Sequence, residues 1–282
     1  MGKKTSINNV TEVVDAVLRG DQSPEFDVNK DGKVDINDVT AAIDNALNPQ
    51  PEDEGLFNVN GVSFTMVKVE GGKFMMGAPM GEAGSYAFEK PQHQVTIAND
   101  YWIGQTQVTQ ALWKAVMGTN PSLHKGDDKP VEKVSWNDCQ EFIARLNQLT
   151  GKQFRLPTEA EWEYACIGGK KSKGYKFAGS NVIDNVAWSK ANSNGVTHPV
   201  KGKQANELGI YDMSGNVNEW CQDWYTSYTA SAATDPQGPA TGSYKVYRGG
   251  SYNVYARDCR SHYRYMMMSN KKYEYLGLRL AL

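Results

Sequence analysis

Residues 27–38 read Asp27-Val28-Asn29-Lys30-Asp31-Gly32-Lys33-Val34-Asp35-Ile36-Asn37-Asp38. Side-chain oxygens fall at loop positions 1, 3, 5, 9 and 12, the Lys33 carbonyl at 7, and Gly32 at 6, where the chain must turn sharply. Hard oxygen donors alternating around a glycine suit Ca2+. The predicted ligands are Asp27, Asn29, Asp31, Lys33, Asp35 and Asp38; the competing reading is an acidic turn without metal. Other chemistry is poorly provided for. Cys139, Cys166, Cys221 and Cys259 make no CxxC pair and no Cys/His group at zinc spacing. His93, His124, His198 and His262 are scattered, with no HxxxH pair for iron, and there is no GxSxG elbow. Cys139 shares a helical stripe with Trp136, Phe142, Ile143 and Leu146, and Cys166 follows Trp162 by one turn, so both are expected as buried thiols. No catalytic residue is predicted.

The elements around these residues follow from periodicity and punctuation. Residues 7–18, INNVTEVVDAVL, recur at 36–47 as INDVTAAIDNAL, with six of twelve positions identical. Valines at helical spacing make each copy an amphipathic helix, and Pro24 lies in the connection. The Pro-rich, acidic stretch 48–58 reads as a linker. This divides the chain into a helical module at 1–47 and a larger domain at 59–282. In the larger domain, Val62 to Val69 predict a strand ending at Gly71-Gly72, while 107–118 and 135–150 predict helices. Ser135 or Asn137 caps the second of these and Gly151 stops it. Thr158 and Glu161 form a capping box for a third helix.

With 282 residues, 30 basic against 32 acidic, the chain has no electrostatic footprint for nucleic acid or an anionic membrane. No apolar run approaches the length of a membrane span. The start, MGKKTS, contains no signal peptide. Gly 27, Tyr 15 and Trp 7 suit a loop-rich fold.

The duplicated helix behind a DxNxDG loop with Asp38 at the last position resembles a type I dockerin, an all-α EF-hand module. The resemblance implies a cohesin-like or intrachain partner. Only MGKKTS precedes the first helix, which leaves room for one loop where dockerins carry two. A second resemblance covers 59–282. The strings FTMVKVEGGKFMMG, EKPQHQVTI, QVTQALW, PVEKVSW, FRLPTEAEWEYA, NELGIYDMSGNVNEW, RGGSY and LGLRL occur in family order. This part is similar to the formylglycine-generating enzyme or sulfatase-modifying-factor family. That implies an α+β, C-type-lectin-like fold with little regular secondary structure. The family contains copper oxidases, iron-dependent sulfoxide synthases and non-catalytic binding domains, so the site must decide the activity.

The oxidases hold copper(I) on two cysteines after the GGS motif. Counted forward from Gly249-Gly250-Ser251, those positions fall on Val254 and Cys259. Counted backward from Leu276-Gly277-Leu278-Arg279, Arg260 and Arg264 align with the family's arginine pair and Cys259 falls on an aromatic position. By either count the thiol pair is missing. The active-site tryptophan of the enzyme is replaced by Asn218. The resemblance also implies a calcium site made of the Asp212 and Glu219 carboxylates and the Gly215 and Val217 carbonyls. The family's other calcium site would start at Asn185-Val186, but its downstream Asp-Gly-Phe element is absent.

Residues 252–275 hold six tyrosines and three methionines. Tyrosine and asparagine give rigid, adaptable contacts at low entropic cost. The pattern is similar to the variable proteins of diversity-generating retroelements; the alternative is a fixed family member whose aromatics pack in the core. Both readings lead to a non-catalytic, ligand-binding protein, secreted or on a bacterial surface. Its unknown protein or glycan ligand is expected to meet Tyr252, Asn253, Tyr255, Asp258, His262, Tyr263, Tyr265 and Met267. Arg260, Arg264 and Arg279 are expected to brace the scaffold from within. The alternative function is a formylglycine-generating-type oxidase or another enzyme of the sulfatase-modifying-factor family.

The calcium loop yields a first prediction. An ion that binds only the folded loop adds about 2.7 kcal/mol at a hundredfold excess over Kd. Thermal melts with calcium and with chelator should therefore separate, and Asp31→Ala should narrow the difference, any remainder belonging to the site expected at Asp212 and Glu219. Superimposable melts of the unmodified chain would refute the loop.

Overall fold

The computed structural model describes residues 7–47 and 55–282. Two compact units divide the chain, 1–56 and 57–282. In the first, α1 (Ile7–Arg19) and α2 (Ile36–Leu47) pack through Val13, Val39 and Ala42, with Val10, Val14, Val17, Phe26 and Val28 around them. The repeat thus yields a helix pair, as its spacing predicts.

The second unit opens with β1 (Leu56–Val59), which begins inside the stretch read as linker, followed by β2 (Val62–Val69) and β3 (Gly72–Met76). Then come β4 (His93–Ile97), β5 (Tyr101–Gly104), α3 (Gln110–Met117), α4 (Trp136–Thr150), α5 (Glu159–Cys166) and the short α6 (Ile183–Val186). The C-terminal part supplies β6 (Asn218–Trp224), β7 (Ala233–Thr234), β8 (Lys245–Arg248), β9 (Arg264–Met267) and β10 (Leu276–Leu278). They form three small sheets, ordered β1-β2-β5, β3-β4-β7 and β10-β6-β8-β9.

Local sequence chemistry accounts for the helix ends. Thr109, in extended geometry, caps α3, which therefore starts at Gln110 rather than at 107 as the pattern suggested. Ser135 with Asp138, and Thr158 with Glu161, close reciprocal capping boxes on α4 and α5. Gly118 and Gly151 end α3 and α4 in left-handed geometry. The α4 stripe packs as expected: Cys139, Phe142, Ile143 and Leu146 are buried, and Phe142 stacks on Trp113 at 4.9 Å. Cys139 and Cys166 are fully buried, and burial raises both thiols.

Helix α5 lies within the core, every residue but Glu161 being buried. Glu159 and Glu163 are one turn apart and therefore share a face. Opposite them, Arg248 on β8 pairs in register with Arg264 on β9. Two like charges at such a position repel, and the two glutamates neutralise them. Arg264 binds Glu159 through two bonds of 2.7 Å. Arg248 bonds Glu163 through Nη2, and its Nε lies 3.0 Å from Glu159 Oε1, an ion pair at an angle that makes no hydrogen bond. All four side chains are at most 6% exposed. Two further pairs follow the same scheme: Arg260 with Glu89 at 2.6 and 2.7 Å, and Arg279 with Glu219 at 2.8 and 2.9 Å. The bracing expected of Arg260, Arg264 and Arg279 is present; Arg248 belongs with them and carried no sequence signal of its own.

Removing one partner of such a pair strands a buried charge and costs about 3–5 kcal/mol. Arg264→Ala and Glu159→Gln should each lose that much in urea melts, and the double variant less than their sum. Tyr255→Ala, at an exposed position, should shift stability by about 0.5 kcal/mol or less. Additive losses would show that the pair does not act as a unit.

The pH dependence has two limbs. Burial alone would raise the Glu163 carboxyl, but Arg248 and His262 hold it at about 2, so its stabilisation is lost as pH falls from 4.5 to about 2. Asp223 is pushed the other way, to about 7, by burial and then by Glu159. The folded state keeps that proton longer than the unfolded one, so stability falls as pH rises from 3.8 to about 7. Burial likewise raises Asp212, to about 6, so Asp223→Asn should reduce the second limb of a Tm–pH profile without removing it, and leave the first.

Candidate functional site

The loop at 27–38 turns its oxygens onto its own main-chain amides. Asp27 accepts the amides of Asp31 and Gly32 at 3.1 and 2.9 Å, and Asn29 Oδ1 accepts that of Asp31. Asp31 accepts the Lys33 amide at 3.0 Å and Asp35 that of Asn37 at 2.8 Å. Asp38 is fully buried and accepts the amides of Val28, Asn29 and Asp35. Gly32 has φ +87°, the turn that the pattern requires. These side chains are thus spent on main-chain amides, and among the described residues no three His, Cys, Asp or Glu side chains gather as a metal site, so the four aspartates expected to ligate do not converge on one point.

The second set is organised differently from the expectation. The Asp212 carboxylate points away and accepts the Lys201 amide; its main-chain oxygen faces the site instead. Gln107 Nε2 lies 3.2 Å from that oxygen, 3.4 Å from Gly215 O, 2.8 Å from Val217 O and 3.0 Å from Glu219 Oε1. One buried amide nitrogen thus meets four acceptors, while its own Oε1 has no partner. With the amide inverted, five oxygens would surround that point, and a hard cation there would relieve the orphan. Among the described residues no three His, Cys, Asp or Glu side chains gather as a metal site, so a cation here would rest mainly on carbonyls. Gln107 opens the family string QVTQALW, but the sequence reading gave it no role at this site.

The expected oxidase position holds a single thiol. Cys259 is sealed in an apolar cluster with Phe177, Val186, Ile183, Val254 and Ala256. Burial pushes its thiol up to about 12, which removes the thiolate that metal binding or nucleophilic attack needs. Gly250 (φ +72°) packs on it; a Cβ there would sit 2.7 Å from Cys259 Sγ and 2.5 Å from Asp258 O.

The C-terminal segment crosses this region as alternating inward and outward side chains. Asn253, Tyr255 and Tyr265 are exposed, while Asp258, His262, Tyr263 and Met267 are half-buried. Tyr252 departs from the expected set: it is 4% exposed and packs edge-on to His124 at 5.1 Å. His262 is held beneath the face, 3.0 Å from Glu163. Asp258 accepts the Tyr86 hydroxyl at 2.9 Å. Tyr86, Phe88, Tyr263, Tyr265 and Tyr247 form a continuous chain of ring contacts at 4.9–6.3 Å. Tyr86, Tyr263 and Tyr265 are therefore held as edges of a stacked surface, whereas Tyr247, 7% exposed, belongs to the buried core. Beside them opens a cavity of about 280 Å3 lined by Asn218, Tyr247, Asn253, Val254, Tyr263 and Tyr275. The sequence reading placed Asn253 and Tyr263 at the site. It missed Tyr247 and Tyr275, and noted Asn218 only as the replacement of a tryptophan.

The comparisons agree with this geometry. Residues 58–282 match the family described as sulfatase-modifying factor enzyme 1-like domain. A protein of Paenibacillus barcinonensis named chaperone protein LppX is 34% identical over 68% of this chain and 79% of its own length. The formylglycine-generating enzyme of Streptomyces coelicolor is 35% identical over 56% of this chain, which spans about half (52%) of that enzyme. The solved structure of Treponema denticola variable protein 1 superposes with a TM-score of 0.73 at 33% identity, over 80% of this chain and 97% of that one. Its likeness makes the second unit a mixed helix-and-sheet fold of the C-type-lectin-like kind. From residue 58 to its end, this chain belongs to the sulfatase-modifying factor enzyme 1-like family.

Proposed function

We propose that this chain is a non-catalytic ligand-binding protein that displays residues 252–275 as its contact face. One observation carries the reading: within a single segment, Arg260 and Arg264 are clamped inside by glutamates while Asn253, Tyr255 and Tyr265 face outward. A scaffold that pins its backbone through buried residues can exchange the outer ones without refolding. The likeness to a structure named variable protein supports that use, as does the absence of a second thiol beside Cys259. The ligand is a protein or glycan met outside the cell, on the surface of a bacterium or after secretion. In the same proposal the 27–38 loop, and the oxygens around Gln107, hold calcium as a structural ion. The helical module docks a cohesin-like or intrachain partner.

Arrays of immobilised glycans and a displayed peptide library test the face. A binder should be found on one of them. Tyr255→Ala or Tyr265→Ala should weaken it at least about tenfold, or 1.4 kcal/mol, without changing Tm. Binding that survives both changes would place the contact elsewhere. The oxidase alternative is tested by incubation with copper(I), oxygen and a CxPxR peptide. The expected mass spectrum is unchanged, whereas conversion that depends on Cys259 would overturn the non-catalytic reading.

A further inference from the structure

The cavity beside the face has a definite chemistry. Three of its six lining residues are tyrosines, Tyr247, Tyr263 and Tyr275, and none is basic. At about 280 Å3 it lies just under the usual range of about 300–1,000 Å3 for small-molecule sites, so it holds a head group rather than a large ligand. None of the three hydroxyls bonds another described residue, which leaves them available. Asn218 lies at the wall, 3% exposed. Its Nδ2 donates weakly to Tyr275 O at 3.3 Å, and its Oδ1 is buried without a partner. That uncompensated carbonyl dipole makes the wall electronegative.

The surrounding charge has the same sign. Burial raises all three phenols, so they stay neutral and keep their π faces. The ionisable neighbours that add to the effect on Tyr263 include Asp258 and Glu89, which are paired with Arg257 and Arg260, and on Tyr275 the Glu274 carboxylate. Of the nearby arginines, Arg248, Arg260 and Arg264 are bound to Glu163, Glu89 and Glu159, and the exposed Arg257 lies 3.4 Å from Asp258, which leaves Glu274 as the carboxylate that these arginines do not neutralise. The same face already seats an ammonium on a phenol ring: Lys190 Nζ lies 4.6 Å from the Tyr255 centroid.

Resting on the binding-face reading, we propose that the Tyr247–Tyr263–Tyr275 cavity binds an alkylammonium group. Aromatic faces attract a cation through the ring quadrupole, and a desolvated cage strengthens that attraction. The group is either the side chain of a lysine on a partner protein or the head of a free quaternary amine. An anion finds no cationic donor in this wall.

The test is titration of the full chain, with tyrosine-selective isotope labelling, by choline and by its neutral isostere 3,3-dimethylbutan-1-ol. Nα-acetyl-lysine amide and Nα-acetyl-norleucine amide form the second arm. The cation of one pair should bind at least about tenfold more tightly than its neutral twin, the scale of one cation–π contact. Its shifts should centre on Tyr247, Tyr263 and Tyr275. The arm that binds names the source. Tyr263→Phe should keep the binding and Tyr263→Leu lose it, with Tm separating lost binding from lost fold; because Tyr263 also stacks on its neighbours, Tyr275→Leu provides an independent check. Equal affinity within both pairs, or no binding of either cation, overturns the ammonium assignment. If array binding still depends on Tyr255 and Tyr265, the face stands without it; if that dependence also fails, both fall.

Discussion

Two arginines facing one another across adjacent strands would push β8 and β9 apart, and the C-terminal half of the molecule depends on how that repulsion is removed. Arg248 and Arg264 lie in register. The capped helix α5 brings Glu159 and Glu163 to them on one face, leaving a neutral, fully buried quartet. The balance works only if the helix starts at Thr158, because a shift of one residue would rotate both carboxylates away by about 100°. The capping box therefore fixes more than a helix end: it sets the phase on which the sheet's charge balance rests.

The same device is repeated wherever the terminal segment must be held. Arg260 with Glu89 pins the stretch before β9 to the loop after β3, and Arg279 with Glu219 ties β10 to β6. Buried ion pairs are a poor route to stability compared with apolar packing, but they tolerate few alternative partners. In a segment rich in interchangeable aromatics, that selectivity decides which residues face in. Tyr252 shows the limit of the rule, since it turns inward against His124 within a stretch that otherwise displays its tyrosines.

The position expected for the family's thiol pair is built differently here. Where a copper-binding pair would require two accessible thiolates, a single thiol is enclosed by Phe177, Val186 and Val254. Asn218 takes the place of a tryptophan, and space remains between tyrosine rings.

Much of this was legible in the sequence. The helix pair followed from a repeated 3.6-residue period, the ends of α4 and α5 from their capping residues, and the buried cysteines from the stripes that carry them. The family strings located the fold and the missing thiol pair. These are local signals, written in neighbouring residues. The sequence did not reveal Arg248 as a bracing residue, Gln107 as the centre of four oxygens, or Tyr247 and Tyr275 as walls of one cavity with Tyr263. Gln107 lies 105 to 112 residues from the groups it meets, and Arg248 lies 85 from Glu163. Contacts over such separations leave no periodicity in the chain. They are decided by strand register and by which glutamate each guanidinium can reach once α5 is buried, and only the folded structure specifies both.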